Sequence, residues 1–560
     1  MAVNGEPISA ASPILPSPDE LSLAQLAAQM VVVRTTGHLF DHEIRYPLWE
    51  ADQSTLRHYI QDLGVGGVLL LGGSAAEVGL KTQQLQSQSA IPLLIAADIE
   101  EGVGQRFSGA TWFPPPMALD AIADRDITLA KSYAKILGQV TAQEATAIGI
   151  NWLLAPVVDI NNNPQNPVIN VRAFGQSVER VKAFSQAFIQ GARDYAVLTT
   201  AKHFPGHGDT NLDSHLELPE LAHGQDRLRQ VEWVPFQSAI SVGVDAIMTA
   251  HLKVPALDPN YPATLSASTL TKTLRQDFRF TGLIVTDALV MGAITNTYGP
   301  YEASVLAVEA GADILLMPSN PEGSIHALVE AVTMGRLSRE RLLDSVERIW
   351  RAKQRVASLL SVPPESCHAW EHVPPPAVDF SRLGQIEFRQ AAADMLLAST
   401  EIQGTVDPCS GGDNIVVVDN VVDCPFLSRN AAAVILPEKL NYQLKLIDQK
   451  GCRYRPDPAQ LKPSLVQLFI RGNPFRGSAS ATSLAKTWIQ TLLDAQLLRG
   501  LVIYGSPYVK DSLQRCLKDD LPFAFTFGQM PEAQFQVLSR LLNLNLANRG
   551  DSHASTPFTD

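Results

Sequence analysis

Cysteine is scarce in this chain, which has five cysteines in 560 residues, all of them within the last 200 positions. The count is odd and no C-x-x-C pair occurs, so the sequence favours neither a disulfide framework nor a common zinc motif. Reduced thiols are typical of a cytoplasmic protein, and this is the location we expect.

Basic residues are fewer than acidic ones, 44 Lys and Arg against 57 Asp and Glu, which gives a net charge of −13. An acidic chain is poorly suited to binding nucleic-acid phosphates or an anionic membrane. No apolar run approaches the roughly 20 residues that span a bilayer. Residues 1–21 lack the basic and apolar segments of an export signal and are predicted to form a flexible arm.

Short apolar runs recur through the first 320 residues, with amphipathic stretches between them. The runs are MVVVR (30–34), GVLLL (67–71), LLIAAD (93–98), WLLAPVVD (152–159), VLTTAK (197–202), DAIMTA (245–250), LIVTD (283–287) and DILLMP (313–318). Such runs suit strands buried on both faces, and 178–195 and 338–356 show helical spacing. Eight such units predict an α/β fold, a (β/α)₈ TIM-like barrel, with an open doubly wound sheet as the alternative.

A proline-rich stretch at 361–380 contains three consecutive prolines, which fit neither a helix nor a central strand. We predict a linker there, between a barrel at 22–360 and a smaller three-layer α/β domain at 381–546, followed by a polar tail at 547–560. In the second domain the predicted strands are 414–420, 431–438, 465–472, 500–506 and 523–528, and the predicted helix is 481–496.

Titratable side chains stand where several of the apolar runs end. They are Asp98, Asp159, Lys202 with His203, His251 and Asp287. One polar strand end carries little weight, because every strand must end somewhere, and Asp287 alone would be explained as the N-cap of a following helix. Because the carboxyl ends of barrel strands share one face, five such ends together predict a site.

The densest polar segment is AKHFPGHGDTNLDSH, residues 201–215, which holds three of the twelve histidines. Pro205, Gly206 and Gly208 exclude a regular helix, so the segment is predicted to be a loop that leaves a strand.

Two chemistries fit this loop. In the first, His203, His207, Asp213 and His215 hold a metal, but the proline–glycine break removes the helical geometry that H-x-x-x-H pairs use. In the second, Asp213 accepts the Nδ1 proton of His215 and leaves Nε2 to transfer protons near neutral pH. We favour the second interpretation and predict no metal and no organic cofactor. As an isolated motif, Asp213 would be explained as the cap of a turn.

Taken together, these motifs resemble glycoside hydrolase family 3, in its β-N-acetylglucosaminidase (β-N-acetylhexosaminidase) branch. The likeness extends over about residues 22–357. It is carried by D-x-E at 98–100 with QRF at 105–107, APVVDI at 155–160, RAFG at 172–175, KHFPGHGDTNLDSH at 202–215 and TDALVMGAI at 286–294.

The resemblance implies a role for each matching residue. Asp287 is implied to be the nucleophile, His215 the general acid/base and Asp213 the residue that orients it. The residues implied to hydrogen-bond the sugar are Asp98, Arg106, Arg172, Lys202 and His203. The branch implies a retaining, exo-acting hydrolase that removes terminal β-linked N-acetylglucosamine from a small carbohydrate substrate, either peptidoglycan fragments or chitin oligomers.

The sequence differs from the family pattern at two positions, and three alternative functions remain open. Glu101 and Val103 stand where the family pattern D-x-E-G-G-R-V has glycine and arginine. A β-glucosidase or a phosphorylase of the same family remains open, because an imidazole acid/base does not repel an anionic attacker such as phosphate. The alternative of another class is an inactive sugar-binding relative.

Overall fold

The computed structural model describes residues 15–210, 218–356, 378–407, 411–448, 456–471, 479–515, 517–518 and 520–544. Eight strands are built from the eight predicted apolar runs, which confirms each of them. They are β1 (Val31–Thr36), β2 (Gly67–Leu71), β3 (Leu94–Ala97), β4 (Trp152–Leu153), β5 (Thr200–Phe204), β6 (Ala246–Thr249), β7 (Leu283–Val285) and β8 (Leu315–Leu316).

These strands are parallel and follow one another around a ring. One sheet has the order β4-β3-β2-β1-β8 and a second has the order β5-β6-β7. Isolated bridges join the two sheets, at Trp152–Leu198 and Val157–Lys202 on one side and at Val285–Ile314 on the other. The ring is therefore the predicted (β/α)₈ barrel, and the alternative of an open doubly wound sheet is wrong.

Helices alternate with the strands and continue to residue 355. They are α1 (Leu23–Gln29), α2 (Gln53–Arg57), α3 (Ala75–Gln88), α4 (Ala118–Ala123), α5 (Ile127–Ala147), α6 (Val178–Ala192), α7 (Gln225–Gln230), α8 (Val234–Ser241), α9 (Gly292–Tyr298), α10 (Pro300–Ala310), α11 (Pro321–Thr333) and α12 (Arg339–Arg355). Local chemistry fixes where they begin. Ser338 accepts a hydrogen bond from the Arg341 N–H at 3.1 Å and so caps α12. No helix in the described part of the chain is long and apolar enough to cross a bilayer.

The second architecture is a six-stranded sheet near the C-terminus. Its strands are β9 (Glu401–Gln403), β10 (Gly412–Val418), β11 (Tyr442–Asp448), β12 (Ser464–Ile470), β13 (Leu498–Gly505) and β14 (Phe523–Thr526). The order is β11-β10-β12-β13-β14-β9. Only β9 runs antiparallel to its neighbour. The accompanying helices are α13 (Ile386–Ser399), α14 (Ala432–Glu438), α15 (Ala479–Asp494), α16 (Pro507–Gln514) and α17 (Pro531–Leu541). The α/β class predicted for this region is confirmed.

One predicted strand of this region is wrong, and two strands of the sheet, β9 and β11, were not predicted. Residues 431–438 form α14, because Ala432, Ala433 and Leu436 form one buried helical face and alanine is the strongest helix former. Both unpredicted strands lie at the sheet edges. In β11 apolar residues alternate with polar ones, and in β9 only three residues pair, so neither sequence gives a continuous apolar run.

The described residues group into two compact units. The barrel unit takes residues within 1–112, 130–163 and 176–389, and the other unit takes those within 113–129, 164–175 and 390–560. Residues 1–14 of the arm, most of the proline-rich linker and the tail lie outside the described residues. The rest of the arm is held against α12, where Trp350 Nε1 donates to the Pro16 carbonyl at 2.8 Å. The domain boundaries derived from the sequence remain predictions.

Candidate active site

Polar side chains occupy the carboxyl ends of four barrel strands. Asp98 follows β3, Lys202 and His203 lie within β5, His251 stands two residues after β6 and Asp287 two residues after β7. In a parallel barrel these ends form a single face, which is where loops can build a ligand site on a rigid support. The structure thus brings together five of the residues that the sequence singled out.

Lys202 is the centre of a buried ionic cluster. Its Nζ lies 2.7 Å from Asp98 Oδ1 and 2.8 Å from Glu100 Oε1. The Lys202 side chain is 1% exposed, whereas that of Asp98 is 33% exposed. One ammonium against two carboxylates leaves a net negative charge, and the exposed Asp98 oxygens can accept hydrogen bonds from ligand hydroxyls. Glu100 was not predicted as a site residue, although its place two residues beyond Asp98 in D-x-E was the available signal.

A second network is organised by Asp159, which is fully buried. Its Oδ2 accepts hydrogen bonds from His203 Nδ1 at 2.7 Å and from the His203 N–H at 3.1 Å. Its Oδ1 accepts from the His207 N–H at 2.7 Å. Burial alone would raise the pKa of Asp159, but the His203 and His207 groups outweigh it and lower this pKa. The carboxylate holds the His203 Nδ1 proton and directs Nε2 away from Asp159, as a tautomer-fixing partner does.

His207 is buried next to this network. Its Nδ1 lies 2.8 Å from Thr210 Oγ1. Burial lowers the pKa of His207 to about 4, while the charges of Asp159 and Asp287 act in the opposite direction. His207 is therefore neutral near pH 7, and Asp287 is close enough to influence it electrostatically. In the metal interpretation, His203 and His207 could offer only Nε2, because the network engages both Nδ1 atoms.

The shifted pKa of His207 predicts a loss of stability in mild acid. Below pH 6.5 the His207 imidazole becomes protonated in the unfolded chain. In the native state it stays neutral down to about pH 4. Stability should fall throughout that window, by about 2 kcal/mol from this group between pH 7 and pH 5. The free energy of unfolding, measured against urea at several pH values, should show a shallower pH slope in His207→Asn than in the wild type. Equal slopes would contradict the prediction.

Asp287 is half-buried at the end of β7. The next residue, Ala288, is held by hydrogen bonds to both its N–H and its carbonyl. Asp287 Oδ1 accepts the Ala288 N–H at 2.8 Å. His251 Nε2 donates to the Ala288 carbonyl at 3.0 Å, while its Nδ1 lies 2.9 Å from Thr264 Oγ1. Since His251 is fully buried, this chain of contacts fixes the turn that carries the Asp287 carboxylate.

The two arginines predicted as sugar ligands have different surroundings. Arg106 is exposed, and its Nε donates to the Asp98 backbone carbonyl at 3.0 Å, so it supports the loop that carries Asp98. Arg172 belongs to the other compact unit, where its guanidinium donates to the Val168 carbonyl at 3.1 Å. Asp213 and His215 lie outside the described residues.

The two residues that differ from the family pattern help to hold a buried loop in place. Glu101 is fully buried and accepts a hydrogen bond from Trp112 Nε1 at 3.0 Å. The Glu101 N–H donates to Gln105 Oε1 at 3.1 Å, and Val103 is buried in the same loop. A carboxylate–indole contact thus holds this loop, with an apolar side chain where the family pattern has arginine.

Two family models match successive parts of the chain. Residues 22–352 match the family described as Glycosyl hydrolase family 3 N terminal domain. Residues 406–543 match the Bacterial Glycosyl hydrolase family 3 C-terminal domain.

Individual relatives agree with these matches. Beta-hexosaminidase A of Pseudoalteromonas piscicida is 32% identical over 380 residues, 62% of this chain and 61% of that protein. A Beta-N-acetylglucosaminidase/beta-glucosidase of Cellulomonas fimi is 30% identical over 315 residues, 54% of this chain and 55% of that protein. The match therefore spans less than two thirds of either relative.

A solved structure matches nearly the whole chain. It is a glycoside hydrolase family 3 β-N-acetylglucosaminidase from Paenibacillus sp. str. FPU-7, with a TM-score of 0.74 and 28% identity. The alignment covers 93% of this chain and 97% of that one.

Proposed function

The chain belongs to glycosyl hydrolase family 3, and from this premise we propose that it is a retaining glycosidase that releases terminal β-linked N-acetylglucosamine from the non-reducing end of small carbohydrates. The observation that carries the proposal is the position of Asp287. It stands at the end of β7, within electrostatic range of His207 and on the barrel face that holds the Lys202 cluster.

In the first chemical step the Asp287 carboxylate attacks the anomeric carbon, and the bond from that carbon to the leaving oxygen breaks. His215, oriented by Asp213, gives its proton to the leaving oxygen. In the second step His215 takes a proton from water, which attacks the same carbon and releases Asp287. Two inversions give net retention, as in glycosidases that use a carboxylate nucleophile.

The rest of the site would hold the sugar in place. Asp98 offers carboxylate oxygens to hydroxyl groups, while Lys202 and His203 offer donors whose directions are fixed by the buried Glu100 and Asp159. Arg106 supports the Asp98 loop, and the family resemblance alone assigns Arg172 a role as a further cationic donor. These positions support binding of a neutral, hydroxyl-rich ring without a metal or an organic cofactor. The natural substrate would be a peptidoglycan fragment or a chitin oligomer in the cytoplasm.

The deciding experiment is a panel of chromogenic glycosides. We expect the aryl β-N-acetylglucosaminide to be cleaved at least about tenfold more efficiently than the aryl β-glucoside, a preference of roughly 1.4 kcal/mol or more in the transition state. Proton NMR should show the β-anomer as the first product. Preference for the glucoside would instead support a β-glucosidase, a possibility that the name of the Cellulomonas fimi relative keeps open.

The same assay in phosphate buffer separates hydrolysis from phosphorolysis. We expect free N-acetylglucosamine and no sugar 1-phosphate. If a sugar 1-phosphate accumulates, the enzyme is a phosphorylase. If the protein binds N-acetylglucosamine but cleaves none of the glycosides, it is an inactive sugar-binding relative.

A further inference from the structure

A second group of potential ligands lies at the ends of β1 and β2 and shares no residue with the site assigned above. It consists of His38, Glu43 and Glu77, which we call the His38 cluster. Their nearest ligand atoms, one from each residue, all lie within 4.8 Å of one another. His38 follows β1, Glu43 ends a short 3₁₀ turn and Glu77 stands in the first turn of α3. The cluster thus joins the loop after β1 to the helix after β2.

The backbone brings these elements unusually close together. A Cβ on Gly37 would lie 2.0 Å from the Gly72 carbonyl oxygen, so only glycine permits this approach. The position of His38 is then fixed twice, because its N–H donates to Thr36 Oγ1 at 3.2 Å and its carbonyl accepts from Lys81 Nζ at 3.1 Å. The backbone that carries the imidazole is consequently held in place before any ligand binds.

The distances within the His38 cluster are too long for good hydrogen bonds. His38 Nδ1 lies 3.5 Å from Glu43 Oε1 and 3.5 Å from Glu77 Oε1. This Nδ1 atom is buried and has no hydrogen-bond partner among the described residues. With metal–ligand bonds near 2.1 Å, two ligands of a tetrahedral ion stand about 3.4 Å apart. The two measured separations match that spacing, whereas ordinary N–H···O hydrogen bonds are about 2.9 Å long.

Glu77 is arranged so that one oxygen remains directed at His38. Its Oε2 accepts hydrogen bonds from the Ser74 N–H and Oγ, both at 2.8 Å, in the capping box of α3. Its Oε1 is the atom that faces His38 Nδ1. The carboxylate is thereby oriented by the helix cap, in the way that hydrogen-bonded partners orient metal ligands in known sites.

We propose that His38, Glu43 and Glu77 bind one divalent cation of the zinc type, with water as a fourth ligand. One imidazole nitrogen with a carboxylate oxygen of each glutamate 3.5 Å away suits Zn²⁺ better than Mg²⁺ or Ca²⁺, which prefer six or more oxygens. A neutral His38 and two carboxylates balance the charge of the ion. Lys81 Nζ also lies beside the cluster, on the His38 carbonyl, and the charges of Asp41, Glu50 and Glu77 act on it.

The cation would fasten the loop after β1 to α3. Farther along that loop, Trp49 and Asp52 line a cavity of ≈ 250 Å³ together with Val290 and Met317 from the loops after β7 and β8. Because Val290 lies three residues after Asp287, a bound ion would stabilise one wall of a cavity next to the candidate nucleophile. The site is structural in character and does not depend on the proposed glycosidase activity.

The test is equilibrium dialysis of untagged, chelator-treated protein against Zn²⁺, with the bound metal counted. We expect the wild type to bind about one more equivalent of Zn²⁺ per chain than His38→Gln or Glu43→Gln. The affinity of this site for Zn²⁺ should be reduced at least about tenfold in each variant. His42→Gln is the matched control, since His42 stands on the same loop outside the cluster and should retain the full count. The Glu43 side chain is partly exposed, so Glu43→Gln should fold even if His38→Gln does not fold.

Two further measurements make the outcome decisive. Zn²⁺ should raise the melting temperature of the wild type and of His42→Gln but not that of His38→Gln, because only a native-state site stabilises by mass action. Co²⁺ in place of Zn²⁺ should give the visible absorption of a tetrahedral site. The proposal is overturned if the wild type binds no equivalent, or if His38→Gln and Glu43→Gln bind as many as the wild type.

Discussion

Asp287→Gly is expected to lower kcat on the aryl N-acetylglucosaminide by about 10⁴-fold, which corresponds to roughly 5 kcal/mol of lost transition-state stabilisation. The variant retains the binding groups around Lys202 but has no carboxylate to attack the anomeric carbon. Added azide should restore turnover by entering the space left by the side chain. NMR should identify the product as the α-glycosyl azide, because a single displacement inverts the anomeric carbon.

Asp226→Gly is the control for this experiment, since the Asp226 side chain is 93% exposed in the first turn of α7. It should retain wild-type kcat. Wild-type-like turnover by Asp287→Gly, or a rescued product of β configuration, would refute the assignment of Asp287 as nucleophile.

The second large effect is expected for Lys202→Met. The substitution leaves Asp98 and Glu100 facing each other without the ammonium that lies 2.7 and 2.8 Å from them. Breaking a buried ion pair in this way typically costs about 3–5 kcal/mol of unfolding free energy. Activity should fall as well, since Asp98 loses the partner that orients it. Urea unfolding monitored by intrinsic fluorescence measures the stability term.

A pH series and a double variant identify the cause of that loss. The stability deficit should shrink below about pH 5, because a proton taken up between the two carboxylates relieves their repulsion. Lys202→Met combined with Glu100→Gln should recover part of the stability but little of the activity. Lys182→Met, on the exposed face of α6, should behave like the wild type. A deficit that is constant with pH would indicate lost packing in place of charge repulsion.

The barrel could be predicted because its strands are buried on both faces, so each one appears in the sequence as a short apolar run. The same rule misassigned 431–438, where an alanine-rich run folds as α14, and it overlooked β11, in which apolar and polar residues alternate and form no continuous run. Length and apolar content alone do not distinguish a buried strand from a short buried helix.

The site was predictable only in part. Strand-end positions indicated Asp98, Lys202, His203 and Asp287, but not which groups would be paired. The contact between His203 and Asp159 joins residues 44 positions apart, and that between Lys202 and Asp98 joins residues 104 apart. No local pattern specifies such pairs, because they arise when strands become neighbours in the closed ring.

The way in which the barrel closes has a mechanical consequence. The ring consists of an arc of five strands and an arc of three, joined by isolated bridges beside β4 and β8, which are two residues long. Asp98 and Glu100 belong to the larger arc and Lys202 to the smaller one. Their ionic contact therefore links the two arcs across one of the two junctions. A sugar bound to both Asp98 and Lys202 would contact both arcs at once. The bound sugar would then resist separation of the two arcs.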